Sequence, residues 1–123
     1  MRGAENRKHK RIKVMLDVKI DQQDAFACIE NVSIGGLCLL SEKKYAIDTI
    51  LDLFFPLSQR TQSILFQKSV KALCVVVWNK QISEHYHAHG MKFIKMSKQD
   101  ELVLLKYISE RQREMEELKL LSS

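Results

Sequence analysis

From Ile12 to Ile20 the apolar residues Ile12, Val14, Leu16, Val18 and Ile20 alternate without interruption with Lys13, Met15, Asp17 and Lys19. Successive side chains of an extended chain point to opposite faces, so this period of two specifies a strand with one face in a core and the other in water. Further apolar runs supply that core. Asp21-Gln22-Gln23-Asp24 reads as a turn, and the strand returns from Ala25 to Glu30. Leu37 to Leu40 resumes extended structure, and Asp48 to Phe55 gives another strand, stopped by Pro56. Polar residues from Ser58 to Ser63 form a loop into a long strand from Ile64 to Trp78. Asn79 to Glu84 is a turn before a last strand from Tyr86 to Met96, in which Gly90 marks a bulge. Six strands with short connections predict a closed or nearly closed antiparallel barrel over residues 12–96.

A helix is expected over residues 97–121. Ser97-Lys98-Gln99-Asp100 has the form of a capping box, with the serine as N-cap. Leu104, Leu105 and Ile108 are placed to pack on the barrel, flanked by Leu102 and Val103. Beyond Ile108 the apolar pattern thins to Met115 and then Leu118, Leu120 and Leu121, so the distal helix is expected to leave the body. It either frays in solvent or self-associates through Met115 and Leu118.

A chain of 123 residues is the size of one domain, and it holds no apolar run near the ~18 residues of a membrane span. The charged amino terminus lacks the apolar segment of a secretory signal. Cys28, Cys38 and Cys74 form no C-x-x-C pair, which argues against a disulfide framework or a thiolate zinc site and for a reduced cytoplasm. All three sit among apolar neighbours, as small buried hydrophobes do. His85, His87 and His89 alternate along a strand, but a spacing of about 7 Å between alternate residues is wide for one metal ion. No metal is expected there. Enzyme motifs are missing too, with no P-loop, nucleophile elbow or His-Glu-x-x-His helix.

Charge is concentrated at one end. Residues 1–13 carry Arg2, Arg7, Lys8, Lys10, Arg11 and Lys13 against Glu5, so this arm accounts for the whole net charge of +5. A basic arm beside a neutral body suits an anionic partner: a small nucleotide, a nucleic acid or a membrane surface. A solvated terminus is the plain alternative.

Two motifs sharpen that choice. Arg7-x-x-x-Arg11 presents two guanidiniums, groups that bind phosphate bidentately and stack on or fork onto a guanine edge. Downstream, Asn31-x-Ser33-x-x-Gly36 offers an amide, a hydroxyl and a bare backbone. Asn31 and Ser33 suit either a guanine edge or an ordinary turn in which side chains bond nearby backbone. Gly36, with Gly35 before it, permits a positive φ or a close approach.

Together the two motifs resemble the signature of PilZ domains, bacterial receptors for cyclic di-GMP. The strand ending in Trp78, the Tyr86 to Phe93 stretch and the terminal helix fit the usual order of that family. The resemblance implies a mainly β fold, a six-stranded antiparallel PilZ-type barrel with a C-terminal helix. It also implies cyclic di-GMP as ligand, with no further cofactor, bound by Arg7, Arg11, Asn31, Ser33 and Gly36. Lys8, Gly35 and Trp78 are secondary candidates, Trp78 as a pocket wall or a core residue. Arg7 and Arg11 precede the first strand and are expected to bury little without ligand, on an arm that folds over the pocket when ligand binds and signals to a downstream protein partner. Many PilZ sequences carry Asp where Asn31 stands. Competing readings are a small basic barrel for RNA or DNA, disfavoured because its strands lack interleaved aromatics, and a degenerate PilZ domain acting only through protein contacts.

Overall fold

The computed structural model describes residues 10–21, 26–61 and 64–122, with side chains at 59–61 and 64–66 left aside. Its strands are β1 (Ile12–Asp17), β2 (Lys19–Ile20), β3 (Ala27–Val32), β4 (Gly36–Ser41), β5 (Ile50–Thr61), β6 (Ile64–Gln81) and β7 (His87–Met96), followed by helix α1 (Lys98–Ser122). All pairings are antiparallel, in the order β1-β3-β4-β7-β6-β5-β2.

The two ends of that order are halves of one segment. β1 pairs Ile12 with Val32, whereas β2, one residue further on, pairs Lys19 with Phe54 and Ile20 with Leu53. The chain changes partner at Val18, and the sheet thereby curls back on itself into the expected barrel. This is also why the structure has seven strands where the apolar pattern gives six: alternation continues through Val18 while the hydrogen-bonding partner does not. Inward residues of every layer meet in one core, with Ile29, Val32, Leu37, Leu39, Leu53, Phe55, Leu57, Val70, Val76 and Met91 all under 2% exposed.

Pro56 does not stop β5. It pairs with Ser69, beyond the point where β2 ends its pairing, so its missing N–H falls on a stretch with β6 as neighbour on one side only. β6 likewise runs past Trp78 to Gln81, which pairs with His87, and the turn shrinks to residues 82–86, closed by the Ile82 N–H donating to the Tyr86 carbonyl at 3.1 Å. Bulges reset the parity at several places. One lies in β3 at Glu30, and two relate β6 to β7, at Val77 and Ile94. The bulge expected at Gly90 thus belongs to the facing strand.

The helix is capped as its sequence requires, the Asp100 N–H donating to Ser97 Oγ at 3.0 Å. The Asp100 carboxylate does not complete a capping box; it accepts from the Lys71 N–H of β6 at 3.1 Å and ties the first turn to the barrel. Leu104, Tyr107 and Ile108 are buried, while Leu105 is exposed. The stripe at 104, 107 and 108 faces the barrel, and Leu105 lies about 100° around the helix from Leu104. After Gln112 the helix is exposed throughout its described length. No helix among the described residues is long and apolar enough to cross a membrane.

Candidate functional site

The bulge at Glu30 turns Asn31 to the outer face of β3, and the cross-strand pairs of Asn31 then define a row. Asn31 faces Lys13 of β1 on one side and Cys38 of β4 on the other; Cys38 faces Gly90 of β7, and Gly90 faces Trp78 of β6. Directly opposed residues share a sheet face, so Asn31 and Trp78 stand on one outer surface three strand spacings apart, about 14 Å.

Arg11, just before β1, closes one end of this row. Its Nη1 donates to Asn31 Oδ1 at 2.8 Å, joining the two halves of the sequence signature. Asn31 therefore does not spend this oxygen on a local Asx turn. Arg11 is half-buried, contrary to the expectation that it buries little without ligand: the register that sets Ile12 inward against Val32 leaves Arg11 lying across Asn31. Arg7 and Lys8 lie outside the described residues, as does the arm through residue 9.

Ser33 serves the turn. Its hydroxyl accepts from the N–H groups of Gly35 and Gly36 at 3.2 and 3.3 Å and donates to the Gly36 carbonyl at 3.3 Å, while its own N–H donates to that carbonyl at 2.8 Å. The side chain is buried, and it holds the β3–β4 hairpin in shape beside Asn31. Gly35 anchors the hairpin to β7 by accepting from the Phe93 N–H at 3.0 Å. Gly36 has no positive φ; the need for glycine is close approach, because a Cβ there would run into the Met91 carbonyl.

Trp78 is neither core nor the end of its strand. It is 39% exposed and lies over Gly90, where a Cβ would collide with the indole Nε1. Gly90 is thus the floor on which a flat aromatic rests at the far end of the row from Arg11. Two residues of this surface lie outside the sequence motifs. Glu30, the bulge residue, accepts from Cys38 Sγ at 3.4 Å, and burial together with this carboxylate pushes the Cys38 thiol up to about 12, with the Arg11 guanidinium pulling the other way. Gly90 is the second, and its signal was a glycine inside a strand, which marks close approach as readily as a bulge.

The histidines fall away from this surface. His89 points into the barrel, where Nε2 accepts from the Tyr45 N–H at 3.0 Å and Nδ1 donates to the Leu39 carbonyl at 3.3 Å. Asn79 adds a bond to the Tyr45 carbonyl at 2.9 Å, and the Tyr45 ring meets His89 edge-on. Burial lowers the His89 pKa, so the neutral ring is a latch for the β4–β5 loop. No group of metal-ligating side chains occurs among the described residues.

Comparison with known proteins agrees with this architecture. No curated protein sequence matches the chain. Among solved structures it is similar to the Bacillus subtilis inhibitor of motility MotI/DgrA, with a TM-score of 0.72 at 19% identity over 89% of this chain and 52% of that one. At that identity the likeness concerns the fold, and the chain spans about half the length of that protein. The family model for the PilZ domain matches residues 5–110, which takes in both signature motifs, all seven strands and the packed half of α1, and the chain belongs to the PilZ domain family.

Proposed function

We propose that this chain is a cyclic di-GMP receptor that acts as an adaptor, converting nucleotide occupancy into a changed arm position read by a protein partner. The observation that carries the reading is the Arg11 to Asn31 hydrogen bond at 2.8 Å, which sets Arg11 on the outer face beside the signature turn. A guanidinium at this place brings a positive, planar group to the surface where an anionic, planar ligand would sit. Arg7 would add a second guanidinium, and Lys8 and Lys13 add positive field.

Asn31 offers amide chemistry suited to a guanine edge, Ser33 and Gly36 fix the turn that positions it, and exposed Trp78 offers a stacking surface at the other end of the row. The two guanines and two phosphates of cyclic di-GMP have enough extent to meet both ends; a mononucleotide meets one. On this reading the protein is a binding module, with its chemistry confined to recognition. Calorimetric titration tests it. Cyclic di-GMP is expected to bind much more tightly than GMP or ATP, and equal affinity for GMP, or no binding of cyclic di-GMP, overturns the reading in favour of a domain acting through protein contacts alone.

A further inference from the structure

Within the row from Asn31 to Trp78, the cations stand at one end: Arg11 lies across Asn31, and Lys13 faces Asn31 from β1. Trp78, at the other end, offers a ring face and an N–H but no charge. A cyclic dinucleotide is not so lopsided, because its two phosphates sit on opposite sides of one ring and each carries a charge. The end near Trp78 calls for a cation of its own.

The register brings one lysine to each edge of the row there. Lys92 stands two residues along β7 from Gly90, on the same face and about 7 Å away, exposed and paired with Gly36 of β4 and Val75 of β6. On the opposite edge Lys80 of β6, also exposed, pairs with Ala88 of β7. The two edges differ in charge. Glu30 precedes Asn31 on the Lys80 side, where its carboxylate accepts from Cys38 Sγ at 3.4 Å and repels a phosphate laid along that edge. On the Lys92 side the residue of β4 is Gly36, which puts no side chain between Lys92 and the signature turn. Beyond Lys92, Lys95 and Lys98 rim the groove between β7 and α1 against Glu101, so the potential along this edge is positive.

We infer, on the receptor reading above, that Lys92 holds the second phosphate of the cyclic dinucleotide while Arg11 holds the first. The ammonium reaches over the row from β7 on its long flexible stem and meets the phosphate as a point charge. GMP, with a single phosphate, engages one of these two cations and forgoes the other.

Calorimetric titration of the full chain with cyclic di-GMP tests this. Lys92→Gln removes the charge at an exposed position and is expected to bind about tenfold more weakly than wild type, the effect of one charge-assisted hydrogen bond reduced by solvent. Its affinity should also fall less steeply as salt is raised, because one ion pair fewer is screened. Lys92→Arg keeps the charge and should retain most of the affinity. Lys80→Gln removes an equal charge from the opposite edge and is expected to bind within about twofold of wild type. Circular dichroism checks that all three variants keep their fold. A wild type that binds no cyclic di-GMP overturns the receptor reading and takes the assignment of Lys92 with it. Where the wild type binds, an unchanged affinity in Lys92→Gln overturns the assignment alone. So does a Lys80→Gln variant that loses as much as Lys92→Gln, which would show a diffuse positive field in place of a phosphate contact.

Discussion

Removing the Arg11 side chain separates the structural part of the signature from its recognition part. In Arg11→Ala the 2.8 Å bond to Asn31 disappears. A hydrogen bond involving a charged group contributes about 1.5–3 kcal/mol, and partial exposure of this pair trims that to about 1–2 kcal/mol, since Asn31 regains water. For a domain of this size 1 kcal/mol shifts Tm by about 3–6 °C, so the free protein should melt about 3–12 °C lower. Ligand affinity should fall further, by roughly tenfold or more for each charge-assisted bond the guanidinium gives the nucleotide. Arg11→Lys isolates the fork: an ammonium retains the charge and one bond to Asn31, so much of the Tm returns while affinity does not. Thermal denaturation followed by circular dichroism, with calorimetric titration of the same samples, reads both quantities. An unchanged Tm in Arg11→Ala would show that the bond contributes nothing in solution, and unchanged affinity would remove Arg11 from the site.

Three further outcomes follow from the surrounding geometry. Gly90→Ala forces Trp78 off its floor, so it should cost about 1–3 kcal/mol and red-shift the tryptophan emission; the cost should largely vanish in a Trp78→Ala background, and a fully additive double mutant would refute the contact. Burial lowers the His89 pKa below the 6.5 of the unfolded chain, so stability is complete above pH 6.5 and declines as pH falls from there towards the folded value, because the unfolded state takes up the proton first. His89→Gln should flatten the Tm against pH profile in that window, and an equal slope in both proteins would count against the latch. Cys38 and Cys74, buried and pushed up to about 12, should resist alkylation at pH 8 until the protein is denatured, and native modification of Cys38 detected by mass spectrometry would contradict its shielding by Glu30.

Much of the fold was legible because burial imposes short periods. The alternation from Ile12 to Ile20 gave the inward face correctly, yet it carried no information about which strand lay alongside, and the change of partner at Val18 left no mark in the pattern. Proline misled for a related reason: Pro56 reads as a stop only if both flanks of β5 must be paired. In the site, the motif placed Arg11 and Asn31 together correctly. It did not separate Ser33, whose hydroxyl is used within the turn, from Asn31, whose side chain reaches across to another strand. Trp78 was ambiguous between wall and core because its direction depends on the bulge at Val77, and bulges are fixed by pairing with a neighbour far along the chain.

The placement of the site has a consequence for how it works. Arg11, Asn31 and Trp78 all lie on the outside of a barrel whose interior is filled by aliphatic side chains, so changing them leaves the core layers intact. The signature turn is the exception. Ser33 and Gly36 are buried, Gly35 is tied to Phe93 of β7, and Ile34 projects outward between them into the groove bounded by α1. The hairpin that sets Asn31 is therefore also one wall of a second surface. A rigid turn clamped by four hydrogen bonds at 2.8 to 3.3 Å moves as a unit or not at all. On the proposed reading, a ligand that pulled on Asn31 through Arg11 would strain the same hairpin that carries Ile34, because the close packing of Gly36 on Met91 leaves little slack there.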